Sequence, residues 1–187
     1  MEGEGKRILG VDVAAFGGDR TTLVLRQGRV VERIAVYSGQ DTMATVGRVV
    51  EKAQAWGADV IAVDTIGLGR GPADRLREIR REQGKPWTVV DVDVARSAPA
   101  RRRGEPRAKR LRDWLWLEIA TWLREEAPVF AWTTPEERQA CEDLAGELAS
   151  VCWMPWWMRW RSTRWRRRTG GPRSASGGTR TSMRMLR

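Results

Sequence analysis

Apolar positions fall along this chain in two rhythms. Arg7 to Val13 is a nearly unbroken apolar run, which predicts a central strand buried on both faces. Thr21 to Leu25 and Val30 to Val36 are β-branched runs on either side of Gln27-Gly28, which predicts a hairpin. Antiparallel strands therefore open the chain. The period then lengthens. Asp41-Thr42 offers a helix N-cap, and Met43, Val46, Val49, Val50, Ala53 and Trp56 follow at helical spacing until Gly57. Asp59 to Asp64 is a second apolar strand. A helix precedes it, so a right-handed crossover sets it parallel to the first. Pro72 opens the next helix, which carries Leu76 and Ile79. Trp87 to Val94 is a further strand, with Asp91 and Asp93 on one face, read as the wet face of a sheet edge. Ser97 to Pro106 is a basic loop. Arg107 to Glu126 is a long amphipathic helix with Leu111, Leu115, Ile119, Trp122 and Leu123 toward the core. Pro135 to Ala149 is a last, acidic helix with Leu144 and Leu148 apolar. This order predicts an α/β fold, a mixed sheet flanked by helices on both faces.

Two of the apolar strands end on an aspartate, Asp12 and Asp64. A carboxylate at the end of a buried strand is costly unless it is paired or binds a cation. If the two strands are neighbours, Asp12 and Asp64 converge at one end of the sheet. They then repel unless a cation sits between them, and hard divalent ions prefer such oxygen ligands. The plainer reading is two unrelated strand-end aspartates. After Asp64 comes the glycine-rich stretch Thr65 to Pro72. Its amides can approach a phosphate, or it is a tight strand-to-helix turn. It matches neither GxGxxG nor the Walker pattern, and no GxxxxGK[ST] occurs anywhere in the chain.

Composition narrows the chemistry. The chain has 187 residues, enough for one domain with a real core. Histidine is absent, which excludes Ser-His-Asp triads and histidine metal sites or bases. Cys141 and Cys152 give no disulfide framework and no zinc site, and fit a reduced, intracellular setting. No apolar run reaches membrane-spanning length, and the start MEGEG is no signal peptide. The net charge of +10 is unevenly spread. Residues 151 to 187 hold ten of the 34 basic residues and no acid, so residues 1 to 150 balance 24 bases against 24 acids. A neutral domain carries a strongly basic tail.

The segment GVDVAAFGGDRTTLVL and, after a helix, VIAVDTIGLGRGPADRLRE resemble the nuclease domain of phage terminase large subunits. The family pattern GxDxAxxGxDxT, then VDxxGxGxGxxDxL, is met by Asp12, Asp19, Thr21, Asp64, Gly67, Gly69, Gly71, Asp74 and Leu76. The likeness covers roughly residues 7 to 150 and includes the basic helix from Arg107. It implies an RNase H-like fold and metal-dependent cleavage of double-stranded DNA during genome packaging. By this resemblance Asp12 and Asp64 are the first two metal-binding acids, holding Mg²⁺ or Mn²⁺ in a two-metal site. Asp19 is an accessory acid or a turn residue. Arg70 and the loop residues Arg101, Arg102 and Arg103 contact the DNA backbone. The implied partners are DNA, the portal protein, the small terminase subunit and a separate ATPase domain, with no membrane. The implied location is the host cytoplasm.

Two departures from the family stand out. The ATPase domain of the packaging motor is missing, and so is a third acid, in a motif like Ser-Pro-Asp-x-Ala-Asp-Ala that opens the family's final helix. In its place stands a tail with five tryptophans, ten arginines and no assignable period. Residues 1 to 150 are thus expected to form an incomplete nuclease domain, and 151 to 187 an unstructured tail. One reading of the tail is a nucleic-acid arm, with arginines on phosphates and tryptophans on bases. The other is a frameshift. Read one base out of register, Ser182 to Leu186 is compatible with His-Ala-Asp-Ala, and Thr179 to Thr181 with Asp-Pro-Asp. The frameshift reading recreates the missing motif in place, and it predicts impaired catalysis. The rival functions are a Holliday-junction resolvase, an actin-like kinase, or a non-catalytic DNA-binding remnant.

Overall fold

A computed structural model describes residues 5–14, 20–39, 41–100 and 108–150. The tail, Asp19, and Arg101 to Arg103 lie outside the described residues.

The opening apolar run forms β1 (Arg7–Asp12), and the hairpin forms β2 (Arg20–Gln27) and β3 (Val30–Ser38). Gly28 turns the hairpin at φ +53°, a conformation that glycine adopts without penalty. Helix α1 (Thr42–Ala55) starts where Asp41 caps it, its Oδ1 accepting from the Ala44 N–H at 2.6 Å. Then come β4 (Val60–Asp64), α2 (Arg70–Gln83), β5 (Thr88–Val92), α3 (Leu111–Glu125), β6 (Val129–Phe130) and α4 (Pro135–Ser150). The sheet order is β5-β4-β1-β2-β3-β6. β1 is central, parallel to β4 and antiparallel to β2, as the sequence predicts.

The core lies on one face of this sheet. Leu9 and Val11 point the same way by strand alternation, in register with Leu25 and Leu23 on β2 and with Ile61 and Val63 on β4. All six are buried, and they pack with Val46, Val49 and Ala53 of α1 and Ala73, Leu76 and Ile79 of α2. Each fully buried leucine or isoleucine contributes about 1.5–3 kcal/mol of transfer free energy. On the opposite face α3 and α4 close less tightly. An apolar cleft of about 610 Å³ remains between Val24, Arg26 and Val31 of the sheet and Trp114, Ile119, Trp122, Leu144 and Leu148 of the helices.

Helix α4 is held to β3 by its first turn. The Thr134 hydroxyl accepts from the Glu137 N–H at 3.2 Å, and Glu137 accepts from the Thr133 N–H at 2.7 Å, a reciprocal cap. Arg33 of β3 pairs with the same Glu137 at 3.4 Å.

Four expectations need correction. Asp91 lies on the edge strand with its side chain 41% exposed, but on the side of the sheet that α2 covers. It is in register with Val63 and pairs with Arg77 of α2, while Val90 takes the open face at 46% exposure. Asp93 lies past the strand end, accepting from the Ala95 N–H at 3.0 Å. Helix α3 starts at Leu111, not Arg107, because Arg96, Ala98 and Ser97 pair with Leu111, Lys109 and Arg110 in an extended bridge. Along α3 the buried residues are Leu111 and Leu117. Leu115, Ile119 and Trp122 are half-buried and Leu123 is exposed. β6, parallel to β3, has no counterpart in the sequence reading: two residues are too few to show a period.

Candidate active site

β1 and β4 run side by side, with Val11 opposite Val63. Asp12 and Asp64 follow those residues, so the two carboxylates leave the sheet together at its carboxyl end. Alternation puts both on the face away from α1 and α2. The electrostatics agree. Burial of its carboxyl, and next the charge of Asp64, push the Asp12 pKa up from the ordinary aspartate value. Solvent still reaches Asp12 from the open end of the sheet.

Each acid has a local brace. Thr22 is opposite Asp12, and the buried Thr21 accepts from the Ala14 N–H at 3.2 Å, tying the chain beyond Asp12 back to β2. Asp64 Oδ1 accepts from the Ile66 N–H at 3.0 Å. The Thr65 N–H reaches the Val92 carbonyl at 3.2 Å. Gly67 to Gly69 form one turn of 3₁₀ helix that folds back over the end of β4. A Cβ on Gly69 would sit 1.7 Å from the Asp64 carbonyl oxygen, so only glycine fits there. Of the two readings of this loop, its geometry is that of the tight strand-to-helix turn. The sequence shows the glycines but not that one of them lies against an acid. A glycine spaced to return to the preceding strand is the signal that could have found it.

Arg70 is exposed at the first position of α2. The chemistry of the pair fits a hard divalent cation: two oxygen ligands whose mutual repulsion such an ion relieves. Among the described residues no third His, Cys, Asp or Glu joins them. The structure therefore brings together Asp12 and Asp64 of the predicted residues, with Arg70 on the loop that follows.

Solved structures carry the same arrangement of elements. The nuclease domain of the large terminase subunit gp2 of bacterial virus Sf6 superposes with a TM-score of 0.62 at 18% identity, over 82% of this chain and 75% of that one. The fold is that of a terminase nuclease domain. A mutant of the Sf6 domain with manganese and beta-thujaplicinol gives the same TM-score, identity and coverage. A mutant with calcium gives 0.58 at 19% identity, over 79% of this chain and 72% of that one. No protein-family model matches the sequence, and no curated protein matches it. The RNase H-like expectation holds for the mixed sheet and its flanking helices. Among the described residues no helix is long and apolar enough to cross a membrane.

Proposed function

We propose that this chain is the nuclease part of a phage packaging terminase, a metal-dependent endonuclease that cuts double-stranded DNA. The observation that carries the reading is the convergence of Asp12 and Asp64 on neighbouring parallel strands, with the Asp12 pKa raised. Paired acids on a central sheet are suited to hold a divalent ion for phosphodiester hydrolysis. Mg²⁺ or Mn²⁺ is the ion this donor set favours. When bound, the ion supplies Lewis-acid polarisation of the phosphate and neutralises the charge that develops on it. The protein's own part is to place two carboxylates rigidly and to leave solvent access between them. Arg70 and Arg101 to Arg103 take the flanking phosphates. Asp19, five residues past the described end of the first strand segment, serves as an accessory acid.

The third acid of the terminase pattern, in the Ser-Pro-Asp-x-Ala-Asp-Ala motif, has no counterpart in the sequence, so one cation is held more firmly than a second. Slow cleavage follows. In a phage-infected host the activity belongs in the cytoplasm, on DNA delivered by an ATPase domain, the small subunit and the portal. The test is cleavage of supercoiled plasmid with Mn²⁺ by the full chain, beside Asp12→Asn and Asp64→Asn. Slow nicking that both variants abolish supports the reading. Cleavage indifferent to both acids overturns it. Preference for four-way junctions over linear duplex assigns the site to a resolvase instead.

A further inference from the structure

Two large apolar side chains stand in water next to the acid pair. Ile66 is 47% exposed and Leu68 is 45% exposed, on the loop between Asp64 and Arg70. Neither belongs to the core on the other face of the sheet. The loop that carries them is fixed to the acid. Ile66 donates its N–H to Asp64, Thr65 is buried and bonded to Val92, and Gly69 lies against the Asp64 backbone. A surface turn of this kind is ordinarily polar, because exposed leucine and isoleucine side chains forgo about 25 cal/mol for every Å² left in water. Their rigid placement beside a phosphate-directed site calls for an apolar partner there.

We propose that Ile66 and Leu68 form a wedge against duplex DNA, seating and partly unstacking the base step beside the phosphate held at Asp12 and Asp64. Near a phosphate, duplex DNA offers apolar surface on its deoxyribose, on the thymine methyl groups and on the faces of its stacked bases. Apolar side chains pressed into a base step unstack it and bend the duplex, at a cost of a few kcal/mol for each step. Arg70, exposed at the end of the same loop, meets an adjoining phosphate and sets the register. The wedge rests on the nuclease reading and deepens it: it assigns the choice of cleavage position to the β4–α2 loop.

The test uses the full chain and duplexes carrying 2-aminopurine at successive positions, with Ca²⁺ present to hold DNA without cutting. The wild type is expected to raise emission at one or two adjacent positions. Ile66→Ser with Leu68→Ser is expected to cut that rise about tenfold, the loss of roughly one stacking contact. It should leave the melting temperature and Mn²⁺ binding unchanged. Ile66→Val with Leu68→Met should restore the rise. No rise with the wild type overturns the wedge, as does a rise that the serine variant keeps or the conservative variant fails to restore. A wedge that fails alone leaves plasmid nicking dependent on Asp12. A failed nuclease reading shows instead as Mn²⁺ binding and nicking that ignore Asp12, whatever the emission does.

Discussion

The two faces of the sheet are built to different standards. One face meets α1 and α2 in a continuous cluster whose members, from Leu9 to Trp87, are almost all inaccessible to solvent. The other meets α3 and α4 across an open apolar cleft, with Val90 and Leu123 exposed and, among the described residues of the two helices, Leu111, Leu117 and Cys141 buried. The acids emerge on this second, lightly covered face. The dense packing and the acid pair are thus segregated. A dense face holds the strands still, so that the carboxylates at their ends keep their spacing. A sparse face leaves room for a substrate larger than any pocket.

Core truncation on the two faces separates them most. Leu76→Ala on the dense face should lose about 2–5 kcal/mol, as buried leucines do. Leu148→Ala, half-buried at the cleft, should lose about 1 kcal/mol or less. Urea denaturation of the full chain decides, and equal losses would break the contrast.

Next comes the brace between dense face and site. Gly69→Ala forces the loop off the Asp64 carbonyl, and Mn²⁺ affinity should fall about 10- to 100-fold, the usual cost of disturbing a ligand's supports. Gly71→Ala is the control, since nothing lies within 4 Å of its Cβ, and calorimetric titration should show wild-type affinity.

A smaller effect is expected where α4 is pinned to β3. Burial pushes the Glu137 pKa up, but bonds from Thr133 and Thr134 and the charge of Arg33 outweigh it and hold it below the ordinary glutamate value. A lowered carboxyl stabilises the fold above its unfolded pKa, and that support is lost as pH falls through the folded one. Glu137→Gln should therefore melt about 2–4 °C lower at neutral pH, the gap closing in acid.

The smallest shift has the opposite sign. The Asp12 pKa is raised, so the metal-free fold loses stability as pH rises from the unfolded value through the folded one. Asp12→Asn should melt about 1 °C higher at neutral pH without metal, solvent screening keeping the gain small. Mn²⁺ should raise the melting temperature of the wild type alone. Proton competition at Asp12 should also weaken Mn²⁺ binding at a higher pH than an ordinary aspartate would, which titrations at falling pH measure.

Much of this was legible in the sequence, and the physical reasons are specific. Leu9, Val11, Ile61 and Val63 sit in unbroken apolar runs, and a run followed by a helix and another run leaves few topologies open. The pairing of Asp12 with Asp64 follows from that topology once β1 and β4 are neighbours. Asp91 was misplaced because alternation alone does not say which face a helix covers. Arg77, fourteen residues earlier, settles it. The exposure of Leu123 and the burial of Leu117 are not legible because leucines and tryptophans stand on several sides of α3 between Arg112, Asp113, Glu118, Arg124 and Glu125, so its period does not single out one face. The close contact of Gly69 with Asp64 is a matter of backbone path, which composition does not record.

The core cluster ends at Trp87. A chain emerging from the ribosome therefore holds every residue of its densest packing before the first residue of α3 has been added. Domains generally fold as units in the order of synthesis. The strands β1 to β5 and both acids are thus made before the helices that cover the second face.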